Sequence, residues 1–228
     1  MTVAASANRS HPLSTTCVMG LAATSTRSNA CGSFTGYALG YAPEGAPDYG
    51  LDRTSLAAPG RRYAELLHAT ARSDKEWPEA NGIELVEAIG RNGLDLVLLW
   101  GNSAERKRAE RIAARRAGVY VGELQPLDAV ARQIASAAFV VGVDTGLLHI
   151  AAALGVPLVA ILVRARDRLA APANSEHTAV LGAPGGIPTV ADVTRAISAS
   201  RRDEVRLRTL DDRYIGRWRH EVVKKSEF

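Results

Sequence analysis

The stretch from Ala138 to Gly155, AFVVGVDTGLLHIAAALG, decides the fold. Its first part is a continuous run of apolar and β-branched residues that ends at Asp144, which is typical of a strand buried on both faces. In its second part the apolar residues have the spacing of a helix, and this helical pattern ends at Gly155. A buried strand that turns directly into a helix through Asp-Thr-Gly predicts one βα unit of a parallel sheet.

The same alternation extends outward from this stretch. The apolar runs YAELLHA, LDLVLLW, AFVVGV and VPLVAILV alternate with helical segments such as NGIELVEAIGRN and LDAVARQIASA. Continuous apolar strands between amphipathic helices predict a parallel sheet covered on both faces and built with right-handed crossovers. The predicted fold class is therefore α/β, with a doubly wound, Rossmann-like domain over residues 63–199.

The flanking segments lack this pattern. Residues 1–35 are rich in Ser, Thr and Ala without a sustained period, which predicts a disordered lead. Residues 36–62 carry Pro and Gly at turn-like spacing and predict a connector. Residues 200–228 predict a charged tail, a solvated or frayed helix, although Trp218 and Ile215 could dock on the domain.

The composition argues against several classes of protein. The chain has 228 residues, 46% hydrophobic and 23% charged, which is an ordinary globular balance. Its two cysteines, Cys17 and Cys31, are too few for a disulfide framework or a zinc module, and they fit a reducing, cytoplasmic setting best. No apolar run approaches a membrane-spanning helix, and a net charge of +4 is only a weak indication of a nucleic-acid partner.

Ligands of open parallel sheets bind beyond the carboxyl ends of the strands, so the polar residues that follow the apolar runs are the candidates. After YAELL comes HATARSDKEWP, in which Thr70 could donate a hydroxyl and Lys75 could meet a phosphate as a point charge. A polar loop without a ligand has the same composition.

A second group of candidates follows the run LDLVLLW. There Ser103 predicts a helix N-cap, and Glu105 is an acid of the first turn. Such an acid could bind a ribose diol, although its favourable interaction with the helix dipole is the commoner reason for it.

The deciding stretch itself carries the sharpest candidates. Asp144 could accept hydrogen bonds from sugar hydroxyls, and Gly146 would let a phosphate approach the open N–H groups of the helix that begins near Thr145. His149 could face the same pocket. Two alternatives stay open: a simple helix cap with a half-buried histidine, or the Val-Asp-Thr-Gly motif of retroviral-type aspartic proteases, which are all-β proteins.

Two other segments carry weaker signals. RKRAERIAARR, residues 106–116, predicts a solvated basic helix face, with attraction to an anionic membrane surface as the alternative. GAPGGIPTVADV predicts a flexible turn into a final helix capped by Thr189, and it lacks the spacing of a phosphate-binding P-loop.

Three motifs together, HAT-x-x-x-DK-x-WP, LLWG-x-x-x-E and VGVDTGLLHIAAALGVP, resemble the lipopolysaccharide heptosyltransferases of the ADP-heptose type, which are GT-B glycosyltransferases. The resemblance covers about residues 36–199 and corresponds to the family's C-terminal, donor-binding half. It implies inverting transfer of heptose from ADP-heptose to the Kdo–lipid A inner core, in the cytoplasm and at the inner-membrane surface. The implied partners are the nucleotide sugar and the acceptor, with no metal, no separate cofactor and no nucleic acid.

The resemblance also implies donor-binding roles for individual residues. It places Thr70 and Lys75 at the diphosphate and heptose, Glu105 at the ribose, and Gln125 against the adenine. A further group is implied to hold the heptose hydroxyls and the phosphates at the helix start: Asp144, Thr145 and Gly146, with His149 beside them.

The chain departs from the family pattern in four places. Ala71 replaces a second hydroxyl residue, and Asn81-Gly82 replaces an aromatic helix position. The segment VRARDRLAAPAN, residues 163–174, is basic and loses the glycine- and acid-containing signature of the family's donor loop. Residues 1–35 show no strand–loop–Asp pattern like the one that carries the general base of the family, so no catalytic residue is assigned. Two hypotheses follow: a truncated heptosyltransferase-type enzyme, inactive alone and completed by another chain, or a non-catalytic nucleotide-sugar-binding remnant.

Overall fold

A computed structural model describes residues 34–42, 48–58, 63–91, 93–163, 177–182 and 186–204, with the backbone alone for residues 201–204. Of the predicted lead over residues 1–35, residues 1–33 lie outside the described residues, whereas residues 34 and 35 begin a helix. Residues 164–176 also lie outside them, as do residues 205–228 of the predicted tail over residues 200–228, with Ile215 and Trp218.

The described residues form one sheet of six parallel strands, in the order β3-β2-β1-β4-β5-β6. The strands are β1 Tyr63–Leu67, β2 Asp95–Leu98, β3 Val119–Val121, β4 Phe139–Val143, β5 Leu158–Ile161 and β6 Thr178–Leu181. This order confirms the doubly wound, Rossmann-like fold predicted from the alternation of apolar runs and helices. The aspartic protease alternative is wrong, because β4 runs parallel to both of its neighbours and leads directly into a helix.

Helices cover both faces of the sheet. They are α1 over residues 34–39, α2 Arg53–Leu56, α3 Glu79–Gly90, α4 Ser103–Ala113, α5 Leu127–Ser136, α6 Gly146–Ala153 and α7 Val190–Glu204. Apolar residues of α3, α4 and α7 pack on one face of the sheet, whereas those of α5 and α6 pack on the other. Within the predicted connector, α2 is fastened to the end of α5, because the guanidinium of Arg53 donates to the carbonyl oxygens of Ala135 and Ala137 at 2.9 Å each.

The strand order reverses between β1 and β4. The chain leaves β1 toward α3 on one face and leaves β4 toward α6 on the opposite face. The two loops therefore diverge, and the crevice between them is where ligands of such sheets bind. The strands themselves approach closely, since a Cβ at Gly142 of β4 would lie 2.5 Å from the Cβ of Leu67 in β1.

No helix among the described residues is long and apolar enough to cross a membrane.

A carboxyl group lies inside the core at the centre of the sheet. Glu65 of β1 has none of its surface exposed to solvent, and neither of its carboxyl oxygens has a hydrogen-bond partner among the described residues. Burial disfavours the charged form and raises the pKa of Glu65 to about 8.

Replacing Glu65 by Gln is expected to remove a fall in stability across the neutral pH range. An unfolded carboxyl ionises near pH 4.5, whereas native Glu65 keeps its proton up to about pH 8. At this site the native state therefore binds more protons than the unfolded state in this window, and the contribution of Glu65 to the free energy of unfolding falls as pH rises, by on the order of a few kcal/mol. Urea unfolding of both proteins at both ends of the window measures this contribution as the difference between the unmodified protein and the Glu65→Gln variant.

Glu87→Gln is the matched control, because it makes the same change in charge at an exposed position of α3. Its stability should follow that of the unmodified protein at both ends of the window. An undiminished fall in the Glu65→Gln protein would contradict the assignment.

Candidate functional site

Two loops meet across the crevice between β1 and β4 through an ion pair. The ammonium of Lys75 lies 2.6 Å from a carboxylate oxygen of Asp144. The hydroxyl of Thr70 donates to the backbone carbonyl of Asp144 at 2.7 Å. The structure thus brings together three of the predicted site residues at the carboxyl edge of the sheet. The ammonium has three donors and the carboxylate only acceptors, so this pair can bind phosphate oxygens and hydroxyl groups side by side.

The amino end of α6 opens onto the same edge. Thr145 is the N-cap residue and has extended backbone angles, but its side chain makes no capping hydrogen bond. Gly146 is exposed, and a Cβ added there would meet no atom of the described residues within 4 Å. The first N–H groups of a helix lack intrahelical partners, so this open end is suited to an anion. His149 is exposed on α6 rather than half-buried.

The start of α4 places a second carboxylate at the edge, beyond β2. Asn102 is the N-cap, because its side-chain oxygen accepts from the backbone N–H groups of Ala104 and Glu105 at 3.0 Å each. The prediction of Ser103 as the cap is wrong by one residue: Asn102 has the extended backbone of a cap and Ser103 is already helical. The carboxylate of Glu105 accepts from the N–H of Gly101 at 2.6 Å and from the amide of Asn102 at 2.7 Å. A carboxylate has about four lone-pair sites, so Glu105 can accept two further hydroxyl groups.

Gln125 lies on the loop between β3 and α5. Its side-chain amide donates to the side-chain oxygen of Gln133 at 2.8 Å, which orients it. Two large apolar side chains on either side of it in the chain are exposed, Leu124 and Leu127.

The basic segment of α4 is largely paired, and one of its residues turns inward. Arg106 pairs with Glu110, and Arg111 pairs with Glu79 of α3. The side chain of Arg108 is only 14% exposed and reaches the loop that follows β1. Arg108 was predicted to lie on a solvated face, which is wrong. It stands next to Ala109 and four residues before Ile112, both buried, and this spacing could have placed it on the inner side.

His68 belongs to the core rather than to the polar loop in which it stands. Only 4% of its surface is exposed. Burial and the positive charge of Arg108 lower the pKa of His68 to about 4, so the imidazole is neutral at physiological pH. Trp77 is also buried, and its indole N–H donates to the carbonyl of Pro188 at 2.8 Å.

No group of three or more His, Cys, Asp or Glu side chains in the described part of the chain is arranged to hold a metal ion.

Comparison with known proteins gives consistent matches. The model of glycosyltransferase family 9 (heptosyltransferase) matches residues 34–196. Lipopolysaccharide heptosyltransferase 1 of Salmonella typhimurium is 46% identical over 123 residues, which are 52% of this chain and 39% of that protein. Its namesake in Escherichia coli is 42% identical over 127 residues, 54% of this chain and 40% of that protein. The aligned region thus spans about two fifths of the length of these curated relatives.

Solved structures give the same result. The structure of E. coli heptosyltransferase WaaC with ADP superposes with a TM-score of 0.64 at 36% identity and covers 72% of this chain and 53% of that one. The complex of WaaC with ADP-2-deoxy-2-fluoro heptose gives a TM-score of 0.63 at 32% identity, covering 75% of this chain and 55% of that one. E. coli ADP-heptose lps heptosyltransferase II shares the fold. It superposes with a TM-score of 0.57 at 23% identity and covers 72% of this chain and 54% of that one.

Asn102→Ala is expected to destabilise the domain by about 1 kcal/mol, because it removes the side-chain cap of α4. It also removes the amide that orients Glu105. Urea unfolding monitored by circular dichroism measures the cost. Ser103→Ala is the matched control and should change the free energy of unfolding by no more than about 0.5 kcal/mol. A larger cost for Ser103→Ala than for Asn102→Ala would mean that the cap is wrongly assigned.

Proposed function

The chain belongs to glycosyltransferase family 9, the heptosyltransferases, and we propose that its Rossmann-like domain binds ADP-heptose as the donor for heptose transfer. The ion pair of Lys75 and Asp144 at the reversal of strand order carries this proposal. It places a cation for the diphosphate and an acceptor for sugar hydroxyls in the crevice where doubly wound sheets bind ligands. Two similar structures hold ADP and an ADP-heptose analogue, which supports this class of ligand.

The diphosphate is proposed to lie between Lys75 and the amino end of α6. Lys75 supplies a positive charge, Thr70 a hydroxyl on the same loop, and the N–H groups after Thr145 the partial positive charge of a helix start. The exposed Gly146 leaves room for the phosphates to approach this backbone. His149, exposed on the same helix, would lie beside them.

The two ends of the donor are proposed to lie on either side of the diphosphate. Asp144 accepts hydrogen bonds from the heptose hydroxyls. Glu105 accepts two from the ribose diol through the lone pairs that its capping contacts leave free. The adenine lies near Gln125, where the exposed side chains of Leu124 and Leu127 offer apolar surface to its ring.

We propose that the reaction is transfer of heptose to a hydroxyl of the Kdo–lipid A inner core, in the cytoplasm at the surface of the inner membrane. The acceptor oxygen forms a bond to the anomeric carbon from the face opposite the diphosphate, which inverts the configuration. The carbon–oxygen bond to the diphosphate breaks, ADP leaves with the electron pair, and a general base takes the proton of the acceptor hydroxyl. Lys75 and the amino end of α6 stabilise the negative charge that develops on the leaving diphosphate. No described residue is assigned as the base.

Asp144→Ala is expected to weaken binding of ADP-heptose at least about tenfold, because hydrogen bonds to a charged group contribute 1.5 kcal/mol or more each. Binding of ADP should weaken less, since ADP lacks the sugar that Asp144 would hold. Isothermal titration calorimetry with each ligand measures both affinities.

Asp128→Ala is the matched control, because Asp128 is an exposed aspartate that is also ion-paired, with Arg132 on α5. It should bind both ligands as tightly as the unmodified chain. Equal binding of ADP-heptose by the Asp144→Ala protein would mean that the site is wrongly placed. A heptose-transfer assay with Kdo–lipid A, run beside the titrations, adds a second readout. Turnover by the chain alone would exclude the non-catalytic remnant, and absence of both binding and turnover would exclude the donor-binding assignment.

Glu105→Ala is expected to abolish the preference for ADP over 2′-deoxy-ADP. If Glu105 holds the ribose diol, the unmodified chain should bind ADP roughly tenfold more tightly than the deoxy analogue, which is the contribution of one charge-assisted hydrogen bond. The variant should bind both ligands equally in the same titration. Glu110→Ala, one turn and a half further along α4, is the control that should keep the preference. A preference retained by the Glu105→Ala protein would contradict the ribose role.

A further inference from the structure

Arg108 connects helix α4 to the loop that carries Lys75. One of its terminal nitrogens lies 2.5 Å from a carboxylate oxygen of Glu76, and the other donates to the backbone carbonyl of Trp77. Its Nε is buried and has no hydrogen-bond partner among the described residues. The guanidinium is thus largely removed from water, where hydrogen bonds to a charged donor are stronger than at an exposed position.

The residues that Arg108 contacts follow Lys75 directly in the chain. Lys75 closes a short 3-10 turn, Ser73–Lys75, and the backbone N–H of the next residue, Glu76, donates to the carbonyl of Ser73 at 3.2 Å. Glu76 therefore belongs to the turn through its backbone and is tied to Arg108 through its side chain. Arg108 is therefore linked to the turn that ends at Lys75 by one side-chain contact and one backbone hydrogen bond.

Arg108 also stands one helical turn after Glu105. Residues three apart lie on the same side of a helix, so Arg108 and Glu105 share one side of α4. Glu105 is bonded to the loop after β2 through Gly101 and Asn102. Helix α4 therefore carries both the proposed ribose-binding group and the arginine that contacts the loop of Lys75.

We propose that Arg108 is a positioning residue for the donor, which sets Lys75 at the distance from Glu105 that an ADP moiety requires. The inference rests on the proposed function and adds a residue to it. Arg108 reaches the ligand through Glu76 and Trp77, and binds no part of it directly. It differs from Arg111 on the same helix, whose ion pair with Glu79 is more exposed and ends on α3 rather than on the loop of Lys75.

The test is a double-mutant cycle on ADP affinity in the full chain, measured by isothermal titration calorimetry. Arg108→Gln should weaken ADP binding about tenfold, comparable to the loss of one charge-assisted hydrogen bond. In a Lys75→Ala background the same substitution should have no further effect, because the group that it positions is gone. Arg108→Lys, which keeps a donor toward Glu76, should recover part of the affinity.

AMP provides a readout that general loosening of the fold would not produce. If Arg108 acts through Lys75 on the diphosphate, Arg108→Gln and Lys75→Ala should both lower the ratio of ADP affinity to AMP affinity. Arg111→Gln, with the same loss of charge on the same helix, should leave both affinities unchanged. Should Arg108→Gln fail to fold, the Arg108→Lys protein carries the same comparison.

The outcomes separate the inference from the proposed function. If the unmodified chain does not bind ADP, the proposed function fails and this inference fails with it. If ADP binds and Lys75→Ala weakens it, three results overturn the inference alone: unchanged ADP affinity in the Arg108→Gln protein, equal weakening of ADP and AMP, or an undiminished effect in the Lys75→Ala background.

Discussion

The divergence of the chain at the ends of β1 and β4 is the constraint on which the site depends. The two strands pair directly and approach so closely that a side chain larger than hydrogen at residue 142 would collide with Leu67. The helices that follow them lie on opposite faces of the sheet, so the loops part and leave a crevice. Lys75 and Asp144 meet across that crevice as cation and carboxylate. The backbone therefore creates the opening, and the two side chains give it a hydrogen-bond donor and acceptors that suit the proposed nucleotide sugar.

Several of the proposed ligand-binding side chains are held by the protein itself. Asp144 is bonded to Lys75, Glu105 to the start of α4, and Gln125 to Gln133. These contacts fix the orientation of each side chain, which reduces the conformational entropy that a ligand would have to remove on binding. At Asp144 and Glu105 a structural role is compatible with the proposed functional one, since a carboxylate can accept hydrogen bonds from the protein and from a ligand at once.

The chain passes from a buried to an open polar environment between β1 and the loop that follows it. Glu65 and His68 lie on β1 and directly after it, and burial favours the neutral form of both. Two residues beyond His68, at Thr70, the chain reaches the open edge where hydrogen bonds to Asp144 begin. Along this part of the chain, neutral side chains lie inside the sheet and the charged Lys75 and Asp144 lie at its carboxyl edge. The low dielectric of the adjoining core strengthens the electrostatic interactions at that edge.

The sequence by itself determined the fold class, the alternation of strands and helices, and the loops in which polar residues collect, because hydrophobic periodicity and helix signals are local. It also determined that Asp144, Thr145 and Gly146 stand between a buried strand and a helix. It could not determine that Lys75 pairs with Asp144, which is 69 residues away. That pairing follows from the order of the strands. The inward turn of Arg108 and the choice of Asn102 over Ser103 as the cap also required the tertiary structure. Each depends on backbone angles or on a partner brought near by folding, and a linear pattern of residue types contains neither.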